Sequence, residues 1–199
     1  MKTVKEFLIW KNDNKEKSLE DLFYNEKVKL EWEETDTLYS FLGIYVIGLA
    51  AYYPNKFRST NYSILTERGR NVYSNNFIYD NFEKFVELNE SEELMNFINN
   101  YLTIGNLFPI WPGGNIHKGK SYCFDIPEIY FCKHKKMAYA LIKVYTNSFM
   151  EEVIENRNNL ELCKLLNMNA EEYKLFLKNV VNTIQKRTHN IKDVLRQNF

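Results

Sequence analysis

The chain has 199 residues, 45% apolar and 26% charged, which is enough hydrophobic mass for one buried core and too much for a disordered chain. Lysine plus arginine equals aspartate plus glutamate at 26 each, so no global field draws the protein to nucleic acid, an anionic membrane or an acidic substrate. Cys123, Cys132 and Cys163 are odd in number and irregularly spaced, which argues against a secreted disulfide framework and fits a reducing cytoplasm.

In chain order, Met1 to Trp10 has neither the basic region nor the apolar run of a signal peptide, and Val4 to Trp10 reads as a short strand. Ser18 followed by Asp21 reads as a helix start with an acidic first turn. Leu38 to Tyr53 is the most apolar stretch. It is interrupted by Ser40, Gly43 and Gly48 and falls short of the ~18 apolar residues of a membrane span, so it predicts a buried helix at the centre of the core. Asp36 is the expected cap of that helix, which runs from Thr37 to about Tyr53 and stops before Pro54. From Asn55 to Tyr79 the chain is polar and Asn-rich, with Tyr62 to Leu65 and Val72 to Tyr73 as candidate strands of a small hairpin around Gly69.

Two short helices follow, near Asp80 to Leu88 and from Ser91 to Tyr101, the second with Glu92 and Glu93 at its positive end. Three capping boxes mark later helix starts: Asp125 with Glu128, Ser148 with Glu151, and Asn169 with Glu172. In the last helix Tyr173, Leu177, Val180, Ile184, Ile191 and Leu195 recur at spacings of three, four and seven, one helical face for a core or a partner seam. The closing run places Lys186, Arg187, His189, Lys192 and Arg196 around one helix end, where cations complement the helix dipole and read as solvated. The expected fold class is mainly α: a single helical domain over residues 1–199, with a small β-hairpin or short strands in the N-terminal half.

The most unusual stretch is Thr103 to Glu128, which holds four of the seven glycines and three of the four prolines. Glycine recurs in binding loops because it permits positive φ and close approach of a ligand to the main chain. The candidate binding residues are Gly105, Asn106, Trp111, Gly113, Gly114, Asn115, Lys118 and Lys120. Lys118 and Lys120 beside Gly119 suit a phosphate, and His117 with Asp125 suits a general base and its orienting partner. The competing reading is a structural loop that Leu107, Phe108, Ile110 and Trp111 pin to the core. A zinc site from His117, Cys123, Cys132 and His134 has the right ligand types but no CxxC pair, so no metal and no cofactor is expected. There is no GxxxxGK[ST], GxSxG or HExxH motif.

At Ile104-Gly-Asn-Leu-Phe-Pro, Gly113-Gly-Asn-Ile-His-Lys-Gly and Asp125-Ile-Pro-Glu the chain resembles a group of uncharacterised bacterial and phage proteins that share an IGNxxP loop, a later GxN and an acidic helix start. The likeness covers Tyr101 to Tyr130 and extends to Ile184-x-x-Arg187-x-x-x-Ile191 in the final helix; it brings no activity with it. Gly105-Asn-Leu, Asn115 and Lys118 also resemble the C-terminal half of an HNH-type nuclease domain. The upstream Asp-His pair of such nucleases has no counterpart, because no histidine precedes His117.

Fourteen Phe and 14 Tyr, with abundant Asn and Lys, all have AT-rich codons and point to a low-GC bacterium or its phage. Neutral charge and missing catalytic signatures favour a non-catalytic protein-interaction or binding protein of the cytoplasm, with a protein partner, nucleic acid the lesser alternative and no membrane. The alternative function is a phosphate-substrate or nucleotide-binding enzyme, nuclease-like but degenerate, that uses the Gly105 to Asp125 loop.

Overall fold

The computed structural model describes residues 2–14, 16–17, 35–57, 75–109, 126–127 and 162–197. Among them are eight helices and one two-stranded antiparallel sheet, the mainly α architecture with short strands that the sequence predicts. The candidate hairpin strands Tyr62 to Leu65 and Val72 to Tyr73, the helix start at Ser18 and the capping boxes at Asp125 and Ser148 lie outside the described residues.

Val4–Asp13 is a helix, α1, rather than a strand. Val4, Phe7 and Leu8 are its buried residues, spaced as one helical face. Thr3 caps it by accepting from the Glu6 amide at 3.1 Å, while the Glu6 carboxylate reaches back to the Lys2 amide at 2.7 Å, a close variant of the capping box.

The apolar stretch does form the central helix, α2, over Phe41–Tyr52, with ten of its twelve residues buried. Its cap is Ser40, whose hydroxyl accepts from the Gly43 amide at 3.0 Å, and not Asp36. Asp36 lies in the strand β1, Thr35–Thr37, and its carboxylate accepts from the next amide, Thr37, at 2.7 Å. A local bond of this kind competes with helix capping. Pro54 ends α2 as expected and opens a further turn, α3, Pro54–Phe57, because proline lacks only an amide that a first helical turn leaves unpaired anyway.

Asn75–Asp80 forms α4, a 3₁₀ turn covers Phe82–Lys84, and Val86–Asn89 forms α5. The single helix expected over Asp80 to Leu88 is therefore broken. Asn81 and Asn89 do the breaking: Asn81 Nδ2 donates to the Phe77 carbonyl at 2.8 Å, and Asn89 Nδ2 to the Phe82 carbonyl at 2.9 Å. Glu92–Asn100, α6, starts where the sequence places it, with Ser91 as cap and Glu92 and Glu93 in the first turn.

A 3₁₀ turn over Ile104–Asn106 leads into β2, Leu107–Pro109, which pairs with β1 in the register Thr35 with Pro109, Asp36 with Phe108 and Thr37 with Leu107. Leu162–Leu166 is α7, and Ala170–Gln197 is α8.

The long α8 packs across α2, α6 and the 104–106 turn. Its stripe Tyr173, Leu177, Val180, Ile184 and Ile191 is buried within the chain, the first of the two alternatives that its spacing leaves open. The capping box at its start is reciprocal: Glu172 N–H donates to Asn169 Oδ1 at 2.9 Å and Asn169 N–H to Glu172 Oε2 at 2.8 Å. Where α8 crosses α2 the approach is close enough that a Cβ on Gly48 would sit 2.7 Å from Leu88 Cδ1 and 2.8 Å from the Tyr173 hydroxyl. At the other end of the core Phe7 meets Phe41 and Tyr101 edge-on, with ring centroids 4.8 and 5.2 Å apart, the orientation aromatic quadrupoles favour. No helix among the described residues is long and apolar enough to cross a membrane.

Candidate functional site

The candidate loop begins as a firmly held segment. Asn106 is fully buried, and every polar atom of its side chain is used. Its Oδ1 accepts from the Tyr39 amide at 2.9 Å, and its Nδ2 donates to the Tyr39 carbonyl at 3.2 Å and the Tyr101 carbonyl at 3.0 Å. The Asn106 carbonyl also takes the Leu38 amide at 2.6 Å. One side chain thus stands in for a missing strand partner, extending the pairing of β1 with β2 toward the cap of α2.

Gly105 is buried against α8. Its amide donates to the Thr188 hydroxyl at 3.0 Å, and that hydroxyl donates in turn to the Ile184 carbonyl at 2.8 Å. A Cβ at this position would collide with the Ile184 carbonyl oxygen and the Thr188 hydroxyl and sit 2.7 Å from the Thr188 amide. Glycine is required here by main-chain contact with a helix of the same chain.

Arg187 completes the anchor. It is fully buried, and its Nη1 donates to the Gly105 carbonyl and, at 2.8 Å, to the Leu107 carbonyl. This corrects the reading of Arg187 as part of a solvated basic helix end. A buried guanidinium needs hydrogen-bond acceptors to offset its lost hydration, and the irregular backbone of the 104–107 turn supplies them. The rest of that run behaves as surface: Lys186 is exposed, and His189 pairs with Asp193 one turn on at 3.0 Å.

Gly105 and Asn106 thus face inward. Their polar groups are held by Thr188, Arg187, Leu38, Tyr39 and Tyr101, all from this chain. Trp111, Gly113, Gly114, Asn115, His117, Lys118, Lys120 and Asp125 lie outside the described residues, as do Cys123, Cys132 and His134. The structure reaches this segment from both sides, at β2 and at Ile126, which is fully buried. Ile104–Pro109 and Ile184–Ile191 pack directly on each other through Gly105, Arg187 and Thr188. Among the described residues no group of three or more His, Cys, Asp or Glu side chains is placed to hold a metal ion.

A second feature lies where α7 meets the start of α8. A shallow cleft of about 480 Å³ opens between Lys164 and Met168 on one side and Glu172, Leu175, Phe176 and Asn179 on the other. Met168 and Phe176 are buried and form its floor, whereas Leu175 is 61% exposed, the most exposed of the large apolar side chains among the described residues. The Asn169–Glu172 box fixes the wall on the α8 side. Farther along, Glu93 at the start of α6 meets Lys178 of α8 at 3.5 Å. Partial burial works to raise the pKa of Glu93, but its own amide, the Ser91 hydroxyl and Lys178 outweigh that and hold the carboxyl below its ordinary value. The sequence reading missed the cleft because Leu175 lies in the apolar run Leu175-Phe176-Leu177 without belonging to the buried stripe; its one visible signal is an apolar residue on the polar face of an amphipathic helix.

Compared with protein-family models, with curated proteins and with solved structures, the chain shows no match.

Proposed function

We propose that this chain is a non-catalytic protein-interaction protein of bacterial or phage origin that works in the cytoplasm. The observation that carries the reading is Leu175. A lone exposed leucine is ordinary on a protein surface, but this one stands at the edge of a cleft with an apolar floor, Met168 and Phe176, and a rim bearing both signs of charge, Lys164 and Glu172. An apolar centre within a polar rim is how protein-recognition surfaces are built, and a methionine in the floor adapts to the side chain it receives. The buried polar groups near the candidate loop support the same reading, because Arg187, Asn106 and Thr188 fix the 104–107 turn on the rest of the chain, and the candidate binding residues Trp111 to Lys120 follow that turn directly in the sequence.

The test is site-specific photo-crosslinking in the full chain, with a benzophenone amino acid in place of Leu175 and, as control, in place of the exposed Glu83. A discrete protein adduct at position 175 and none at 83 is the expected result; the absence of any adduct at 175 overturns the proposal. Trp111→Ala and His117→Ala in the crosslinking chain then report whether the 110–125 segment adds to the same contact.

A further inference from the structure

We infer that the outer face of α8 docks on the same face of a second copy of this chain, antiparallel across a two-fold axis. The inference rests on the interaction reading above and names its partner. The inward stripe of α8 is used by the core, so the outward one, Glu172, Leu175, Asn179, Asn182, Lys186 and His189, is what the helix offers to solvent, and all six residues are exposed. The charges along it are ordered: Glu171 and Glu172 stand in the first turn and Lys186 four turns later, while His189 beyond it is paired with Asp193.

An isologous interface must be complementary to itself, and this order is self-complementary in one direction only. With two copies antiparallel, Glu172 of each lies opposite His189 of the other, Leu175 opposite Lys186, and Asn179 opposite Asn182 beside the axis. Lys186 of each copy then reaches the acidic first turn of the other with its ammonium while its methylene stem covers the exposed Leu175, and the central amides pair as donor and acceptor. A parallel pairing sets acid on acid and base on base. The helix dipoles also oppose favourably in the antiparallel arrangement. The contact extends over the α8 side of the cleft, which accounts for a cleft and an exposed leucine on the same side of one helix. A single helix pair buries less than a standard interface, so the dimer forms reversibly with concentration.

The experiment is sedimentation equilibrium of the full chain from about 1 to about 100 μM, the range in which a weak dimer of this size dissociates. The wild type is expected to pass from monomer to dimer. Leu175→Lys, which sets like charges opposite each other, and Lys186→Glu should each weaken the dimer at least tenfold with an unchanged thermal melt, since both side chains are exposed. Adding Glu171→Lys to Lys186→Glu should restore it, because the swap recreates opposite charges only in the antiparallel arrangement. A monomer at every concentration, or a dimer indifferent to Leu175→Lys, or no rescue by the swap, overturns the inference. If the protein stays monomeric while position 175 still crosslinks a different protein, the second-copy inference fails and the interaction reading stands; if neither is seen, both fall.

Discussion

Arg187 carries a full positive charge into the core and gives it two main-chain carbonyls, those of Gly105 and Leu107. A planar guanidinium can serve two divergent acceptors from a fixed fork, which a lysine ammonium on a flexible stem cannot. Arg187→Met removes the charge and leaves both carbonyls without this donor, at a cost of about 2–4 kcal/mol in folding stability. Arg187→Lys retains a buried charge while losing the geometry that compensates it, so it is expected to cost at least as much as the methionine. Urea-unfolding midpoints of the two variants decide this. A lysine variant as stable as the wild type would show that the fork is not what holds the turn.

Among the elements, two close approaches set the packing of α8, and they differ in what can yield. At Gly48 the obstacles are a Leu88 methyl and the Tyr173 hydroxyl, side-chain atoms that move by small rotations, so Gly48→Ala should cost about 1–3 kcal/mol as ordinary overpacking. At Gly105 the obstacles include the main chain of α8 at Ile184 and Thr188. Gly105→Ala must push the 104–106 turn off the helix and break the Arg187 and Thr188 bonds with it, so its melting temperature should fall well below that of Gly48→Ala; the reverse order would contradict the structure. Much of this arrangement is legible in the sequence where one local signal is strong, as in the Asn169–Glu172 box, the Ser91 cap and the stripe of α8. Other signals were present but outweighed. The Thr3-x-x-Glu6 box and the spacing of Val4, Phe7 and Leu8 mark α1 as a helix, against the strand suggested by its valine and aromatic residues. Arg187 falls at helical spacing between Ile184 and Ile191, on the buried face, although its cationic neighbours suggest a solvated end. What no local pattern shows is the distant partner: the pairing of β1 with β2 holds Asp36 in a strand, and only the folded chain brings Tyr39 to Asn106. The same limit applies to the candidate site, where the unusual glycine and asparagine of Ile104–Asn106 are explained by contacts with α8 and with the start of α2.

On the scale of the whole molecule, the core joins α2, α5 and α8 through tyrosines that must keep their protons. Tyr45 donates to Asn89 Oδ1 at 2.6 Å, and Tyr173 donates to the Ile44 carbonyl at 3.1 Å. Burial raises both phenols above their ordinary value of 10.0; the neighbouring Tyr53 adds to the shift at Tyr45, and Tyr52 and Tyr45 add to it at Tyr173. An ionised oxygen in either place would face another oxygen in a dry environment. Below pH 10 the folded and unfolded chains both hold these protons, and neither tyrosine makes stability depend on pH. Above it the unfolded chain releases two protons that the native protein keeps, so folding stability falls by about 1.4 kcal/mol per pH unit for each tyrosine. Lys11, whose pKa is lowered by burial, acts in the opposite sense: the native protein releases its proton first, and stability rises with pH up to about the ordinary lysine value of 10.5. That opposing effect is over by the time the tyrosines dominate. The protein is therefore expected to lose stability steeply above about pH 10. Tyr45→Phe and Tyr173→Phe, each somewhat less stable at neutral pH for want of one hydrogen bond, should each show a shallower decline than the wild type in urea-unfolding midpoints taken from pH 8 to 11. Parallel declines in all three proteins would mean that the two phenols ionise in the fold, and that the tyrosine links between α8, α2 and α5 are open to water.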